Sequence, residues 1–181
     1  ERSAIVRFKV KGEDAYILAW TTTPWTLPSN VALCVNPNET YVKVKNGDYT
    51  YYMAEALVSS VLEGDVEVLE SYVGNELEGK EYEPLFPFVE LNKKAYYVTC
   101  DNYVTLTDGT GVVHIAPAFG EDDANVGRKY DLPFLQLVDE KGEMTEETPW
   151  AGTFCKKADP LVLQDLEDRG LLFAAPNFEH S

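Results

Sequence analysis

A chain of 181 residues that is 45% apolar and 12% aromatic can bury a core without disulfide staples, which excludes a disordered chain. Its formal charge of −16 repels bulk phosphate backbone. That excludes a general nucleic-acid binder, but not a domain that receives only the end of a nucleic acid held by something else.

Cys34, Cys100 and Cys155 are odd in number, far apart and outside any C-x-x-C. Neither a zinc ribbon nor a disulfide framework is indicated, and a reducing, cytoplasmic setting fits. No apolar run approaches the ~18 residues of a membrane span, and no signal peptide is visible. The chain lacks an initiator Met and enters a strand pattern within a few residues. The expectation is a single domain, residues 1–181, cut from a longer protein.

Residues 4–10 alternate with a β-branched flavour, turn at Gly12-Glu13-Asp14, and return as a strand over 15–20. That strand delivers the chain to Trp20-Thr21-Thr22-Thr23-Pro24-Trp25-Thr26-Leu27-Pro28-Ser29-Asn30. Two prolines remove donors and fix φ, so the stretch reads as a rigid polar loop beside aromatic surface, a common lining of small-molecule pockets. Residues 31–35 form a buried strand. Residues 41–45 and 48–53 alternate around Asn46-Gly47, which favours a type I′ hairpin.

Residues 55–63 suggest a short helix stopped by Gly64, and 66–73 resume β character. Residues 74–94 are irregular; Leu85 to Val89 reads as an edge strand or a packed loop. Residues 95–99, 112–116 and 134–138 read as strands, and 139–147 as an acidic, solvated loop. Residues 121–130 form a helix with acids first and bases last, matching its dipole. A final helix spans 159–170, with Asp159 as N-cap, Pro160 at N1 and Gly170 past its end.

About ten strands and three helices with hairpin connections predict a mainly β (α+β) fold. Its core is an antiparallel barrel or sandwich with a few peripheral helices. There is no internal repeat and no linker. Gly109-x-Gly111 does not complete a dinucleotide fingerprint.

His114 is one of two histidines, with His180 near the end of the chain. It reads either as a core histidine or as a strand-end imidazole of a site. Glu121, Asp122 and Asp123 are dipole-favouring acids, one of which turned inward would meet a cationic ligand group. Thr21, Thr22 and Thr23 have no activating base at a useful spacing, so a hydrogen-bonding pocket is preferred over a nucleophile. No metal site is expected, with one internal histidine and no ligand-spaced cysteines.

The stretch Trp20 to Asn30 taken together with Gly109-Thr110-Gly111-Val112-Val113-His114-Ile115-Ala116-Pro117-Ala118-Phe119-Gly120-Glu121-Asp122-Asp123 resembles the editing domain of isoleucyl-tRNA synthetases. That domain is inserted in the Rossmann core of these class I enzymes. Val31 to Pro37, Gly127 to Leu132 and Pro149-Trp150-Ala151-Gly152 extend the resemblance over essentially the whole chain. Valyl and leucyl relatives carry an arginine and an acid at or beside the positions of Pro24 and Trp25, which favours the isoleucyl type.

The resemblance implies hydrolysis of valyl-tRNA(Ile), and of valyl-adenylate, with isoleucyl ester excluded by size. The alternatives are a valyl- or leucyl-type editing domain, or a non-catalytic module that binds the tRNA end. Carried over position by position, Asp123 binds the α-ammonium of the misattached amino acid. Thr23 and His114 wall the side-chain pocket, and Thr21 and Thr22 hold the ester and the terminal adenosine. Trp25 and Asn30 shape the same loop. Thr22, Asp123 and His114 are the residues nearest the chemistry.

The implied partners are the tRNA(Ile) 3′ end and the rest of a parent synthetase. No cofactor and no membrane are implied. Arg128, Lys129, Lys156 and Lys157 are candidates for the rim of the site. Many relatives have Gly-His where this chain has Ala118-Phe119, so a mechanism that needs that histidine is closed to it.

Overall fold

A computed structural model describes residues 3–176, so His180 lies outside the described residues. Among the described residues, nine strands form one sheet: β1 (Ala4–Lys9), β2 (Tyr16–Thr21), β3 (Ala32–Val35), β4 (Thr40–Asn46), β5 (Tyr49–Ala54), β6 (Val66–Val73), β7 (Tyr97–Cys100), β8 (Val112–Ile115) and β9 (Leu172–Ala174). Three α-helices accompany it: α1 (Val58–Val61), α2 (Glu121–Lys129) and α3 (Cys155–Asp168). The order across the sheet is β6-β4-β5-β2-β8-β3-β7, with β1 on β2 and β9 on β1.

The expected mainly β, barrel-like fold with peripheral helices is what forms. Antiparallel pairs dominate, but β2 runs parallel to β5 and to β8, and β3 parallel to β7. The parallel β2–β8 pair, in register at Trp20 and Val113, sets the site. Parallel neighbours end on the same edge of a sheet. The loops leaving β2 and β8 are therefore brought side by side, although some ninety residues separate them in sequence.

All four residues of β3 are buried because both faces of this strand are covered. Leu33 and Val35 join the main core with Phe8, Leu18 and Tyr41. Ala32 and Cys34 join a second cluster with Ile115, Val126 and Leu132. The alternation is the period of two expected of a strand. The second cluster seats α2 against β3 and β8, which fixes the first turn of α2 beside the end of β8.

Local structure departs from the sequence reading in several places. The 41–53 hairpin forms, but its loop is Gly47-Asp48, since Asn46 pairs with Tyr49. Among the described residues only Gly47 has positive φ there (63°), which is the glycine-first type II′ pattern and not I′. The last helix starts at Cys155, so Pro160 lies inside it and Asp159 is not its N-cap. The helix read over 55–63 is a 3₁₀ turn, Glu55–Leu57, followed by the single turn α1.

No strand forms over 134–138; Val138 makes only an isolated bridge to Met144. Leu85 to Val89 is a loop, with Leu85 and Phe86 buried in the main core. The short β9, which pairs Ile5 with Ala174, carries too few residues for alternation to announce it.

Candidate functional site

The chain leaves β2 at Thr21 and enters a 3₁₀ helix over Pro24–Ser29. The local cause is legible: Pro24 supplies the fixed φ at the first helical position, and no donor is lost there. Thr21 Oγ1 accepts the Thr23 N–H at 3.1 Å, which turns the chain out of the strand. The Trp25 N–H is an orphan donor of that first turn, and Asp159 Oδ1 of α3 accepts it at 2.9 Å. Asp159 thus caps a helix, but one 134 residues away.

On the neighbouring strand, Pro117 ends β8 with a short 3₁₀ turn, Pro117–Phe119, and α2 follows at once. Asp123 lies in the first turn of α2, and its Oδ2 accepts the Ala116 backbone N–H at 2.9 Å. The side chain therefore folds back toward the end of β8. Burial pushes its carboxyl pKa up from the ordinary value; the Ala116 N–H works against that, and Asp122 adds to it.

Between the two loops lies an open cleft of about 410 Å³. Thr21, Thr22, Thr23, His114 and Asp123 all line it, so five of the seven residues expected from the sequence converge. Trp25 and Asn30 do not line it. Trp25 packs edge-on against Phe119, with ring centres 5.3 Å apart, and so braces the two loops against each other. Asn30 stands behind His114.

That arrangement fixes the state of the imidazole. Tyr82 Oη donates to Asn30 Oδ1 at 2.5 Å, and Asn30 Nδ2 donates to the Ala32 carbonyl at 2.9 Å. Asn30 Nδ2 also lies 3.2 Å from His114 Nδ1, which must then be the acceptor. His114 Nε2 keeps the proton and donates to Thr26 Oγ1 at 2.7 Å, and Thr26 in turn donates to the Thr23 carbonyl at 2.8 Å. Burial lowers the His114 pKa to about 4, so the ring is neutral near pH 7. With both nitrogens engaged, it has no free lone pair to offer the cleft.

The sequence assigns no site role to five of the lining residues, Trp20, Thr26, Tyr103, Val113 and Phe119; Asp122, one of the three acids able to turn inward, lines the cleft beside Asp123. Thr26 was legible in the sequence. A 3₁₀ helix has three residues per turn, so Thr23 and Thr26 share a face, and their hydroxyl oxygens are 3.1 Å apart. Tyr103 carries no local signal, because it comes from an irregular loop. Burial and the nearby acids, Asp123 and Asp122 among them, push its phenol pKa up.

The lining holds two carboxylates and neither Lys nor Arg. What the cleft can do chemically follows from that set: bind a cationic group at Asp123, offer hydroxyls from Thr21 to Thr23, and limit side-chain size at the Thr23–Thr26–His114 wall. None of the four basic residues offered for the rim, or equally for a solvated face, lines the cleft. Arg128 is held by Asn125, Lys129 donates to the Cys100 carbonyl at 2.9 Å, and Lys156 and Lys157 are exposed on α3. Among the described residues, no group of three or more His, Cys, Asp or Glu could hold a metal ion, and no helix is long and apolar enough to cross a membrane.

No protein-family model matches the chain. The isoleucine–tRNA ligase of Clostridium novyi (strain NT) is 53% identical over 183 residues, covering 100% of this chain and 18% of that protein. That of Clostridium acetobutylicum is also 53% identical, with the same coverage. The chain thus spans less than a fifth of the length of the curated relatives it matches. Among solved structures, the cytosolic leucyl-tRNA synthetase editing domain of P. knowlesi is similar in fold, with a TM-score of 0.71 at 15% identity over 96% of this chain and 95% of that one.

Proposed function

The chain belongs to the isoleucine–tRNA ligase family and has the fold of a synthetase editing domain, and on that premise we propose that it proofreads tRNA(Ile) by hydrolysing the ester of misattached valine. Valyl-adenylate, which presents the same α-ammonium and side chain, is the second proposed substrate. One observation carries the reading. A half-buried carboxylate, Asp123, shares a cleft with three threonines and His114, and neither Lys nor Arg lines it. The α-ammonium of an aminoacyl ester supplies the cation that the lining lacks.

The proposed roles are those the resemblance implies, and the lining of the cleft supports them. Asp123 anchors the ammonium. Thr21 and Thr22 hold the ester and the terminal ribose. Thr23, Thr26 and His114 are tied into one wall by hydrogen bonds, and that wall measures the side chain. A wall that cannot yield is what a size filter requires. An extra methylene is worth about 1–3 kcal/mol in this very family, an established magnitude, so a synthetic site cannot reject valine well and a second, smaller pocket must.

His114 contributes by position and not by proton transfer, because both its nitrogens are occupied. The nucleophile is a water placed between the threonine loop and Asp123, with a ribose hydroxyl of the terminal adenosine as its further partner. Positioning of this kind can supply much of such a barrier. Phe119, which packs on Trp25, takes no part in proton transfer, so the reaction runs without a second histidine. Three buried, free cysteines suit the proposed cytoplasmic setting.

The test is deacylation of valyl-tRNA(Ile) and isoleucyl-tRNA(Ile) by this chain and by its parent ligase. Release of valine with isoleucyl-tRNA spared supports the reading. Matched mischarged tRNAs for leucine and valine synthetases separate it from the sibling specificities. Failure of a valyl-adenosine analogue to occupy the cleft beside Asp123 points instead to a non-catalytic module.

A further inference from the structure

On the other side of α2 lies a second groove, about 220 Å³, that the chemistry above does not use. Its floor is apolar: Pro117, Ala124, Gly127 and Leu132. Its wall is Phe134, 68% exposed, the most exposed of the large apolar side chains described. Its rim carries Arg128, Lys93 and Asp131. In a chain of charge −16, this lining holds two cations to one acid, whereas the 410 Å³ cleft holds two acids and no cation. The two are adjacent. Pro117 and Phe119 belong to one 3₁₀ turn, and Asp123 and Ala124 are consecutive in α2, with one of each pair in each cavity.

We propose that this groove carries the single-stranded stretch of tRNA next to its 3′ end, with a base stacked on Phe134 and phosphates at Arg128 and Lys93. The proposal rests on the deacylase reading above. An exposed aromatic flanked by cations is the arrangement that holds single-stranded nucleic acid without reading its sequence. Lys93 is held by Asp131 at 2.8 Å, but the Asp131 side chain is 83% exposed, and such a surface pair gives way readily to a phosphate. A strand whose aminoacyl end sits at Asp123 needs only to round the first turns of α2, a cylinder about 10 Å across, to reach Phe134.

The experiment compares two substrates, valyl-tRNA(Ile) and the minimal ester valyl-adenosine, on the wild-type chain and on Phe134→Ala, Phe134→Tyr and Arg128→Gln. The expected result is a KM for the tRNA raised roughly tenfold in Phe134→Ala and Arg128→Gln, restored in Phe134→Tyr, with kcat/KM for valyl-adenosine unchanged. If both substrates suffer equally, the groove merely seats α2 and the proposal is overturned. If neither suffers, the groove does not touch RNA, whatever else docks there, and it is likewise overturned.

If the wild-type chain cleaves neither substrate, the deacylase reading fails and the groove is judged by binding alone. The probe is then a labelled single-stranded RNA dodecamer ending in the tRNA(Ile) 3′ sequence. Weaker binding and a shallower salt dependence in Arg128→Gln, and weaker binding in Phe134→Ala, support the groove. Binding equal to wild type overturns it. Thermal melting of each variant separates loss of contact from loss of fold.

Discussion

The Asp123 carboxylate accepts the Ala116 backbone N–H at 2.9 Å, so the first turn of α2 is pinned to the end of β8 by the residue proposed to bind substrate. One oxygen is committed to the fold. The other, Oδ1, lies so close to Gly120 that a Cβ there would sit 2.8 Å from it. Gly120 has extended backbone (φ 171°), so the constraint is space and not conformation.

Gly120→Ala is therefore expected to turn the Asp123 side chain while leaving the core intact. Deacylation of valyl-tRNA(Ile) should fall by at least tenfold, mostly in KM, while stability falls only by about 0.5–1.5 kcal/mol, the contribution of the strained Ala116 hydrogen bond. A variant of wild-type activity would mean that Asp123 Oδ1 is not a ligand-binding atom.

Asp123→Ala should abolish deacylation with the fold retained, and Asp123→Asn should do nearly the same, because the ammonium needs a charge and not merely an acceptor. The pH dependence has a definite sign. Burial raises the carboxyl pKa, so the fold favours the protonated acid, and only the ionised form binds a cation. The acid limb of kcat/KM should turn over above the ordinary carboxylate value of 3.8. An inflection at or below 3.8 would contradict the assignment of that limb to Asp123.

His114 makes a prediction about stability. Its pKa is lowered to about 4 in the fold, against 6.5 when exposed, so the unfolded chain binds a proton that the folded chain refuses. Its contribution is whole above pH 6.5 and is lost as pH falls toward 4, by roughly 3 kcal/mol over that interval. Urea titrations at pH 7 and pH 4.5 on wild type and His114→Gln measure it. The variant should be less stable at pH 7 but less sensitive to acid. Equal acid sensitivity in the two proteins would place the effect on other groups.

Thr26→Val keeps the shape of the side chain and removes the hydroxyl that joins His114 to Thr23. It leaves a buried N–H unpaired, at a cost of about 1–3 kcal/mol in stability. With the wall loosened, discrimination between valyl and isoleucyl esters should shrink, read as the ratio of their deacylation rates. Direct enlargement by Thr23→Ala should shrink it further. If both variants still spare isoleucyl-tRNA, the size filter lies elsewhere in the cleft.

What was legible in the sequence depended on whether the cause was local. The strands over 4–9, 16–21 and 40–54 follow from alternation, and the break after β2 follows from Pro24. Turn chemistry alone did not place the hairpin loop: Asn46-Gly47 predicts I′, but pairing of Asn46 with Tyr49 moves the loop by one residue. Asp159-Pro160 looks like a helix start, yet α3 begins four residues earlier and Asp159 serves the distant Trp25 N–H.

At the site, Thr21, Thr22, Thr23, His114 and Asp123 were named from motif resemblance, and the parallel β2–β8 pair is the physical reason they meet. The state of His114 was not legible. It depends on Thr26 and Asn30, which reach the ring from a loop some ninety residues away, and on Tyr82, which orients Asn30 from a third segment.

The account turns on a cleft that admits valine and refuses isoleucine while a carboxylate holds the ammonium. The most direct measurement is the rate at which the chain, alone and within its parent ligase, releases amino acid from valyl-tRNA(Ile) and from isoleucyl-tRNA(Ile), each with and without Asp123→Ala. The account predicts hydrolysis of the valyl ester only, and its loss in the variant. Equal cleavage of both esters, or valyl-tRNA(Ile) hydrolysis that survives Asp123→Ala, would contradict it.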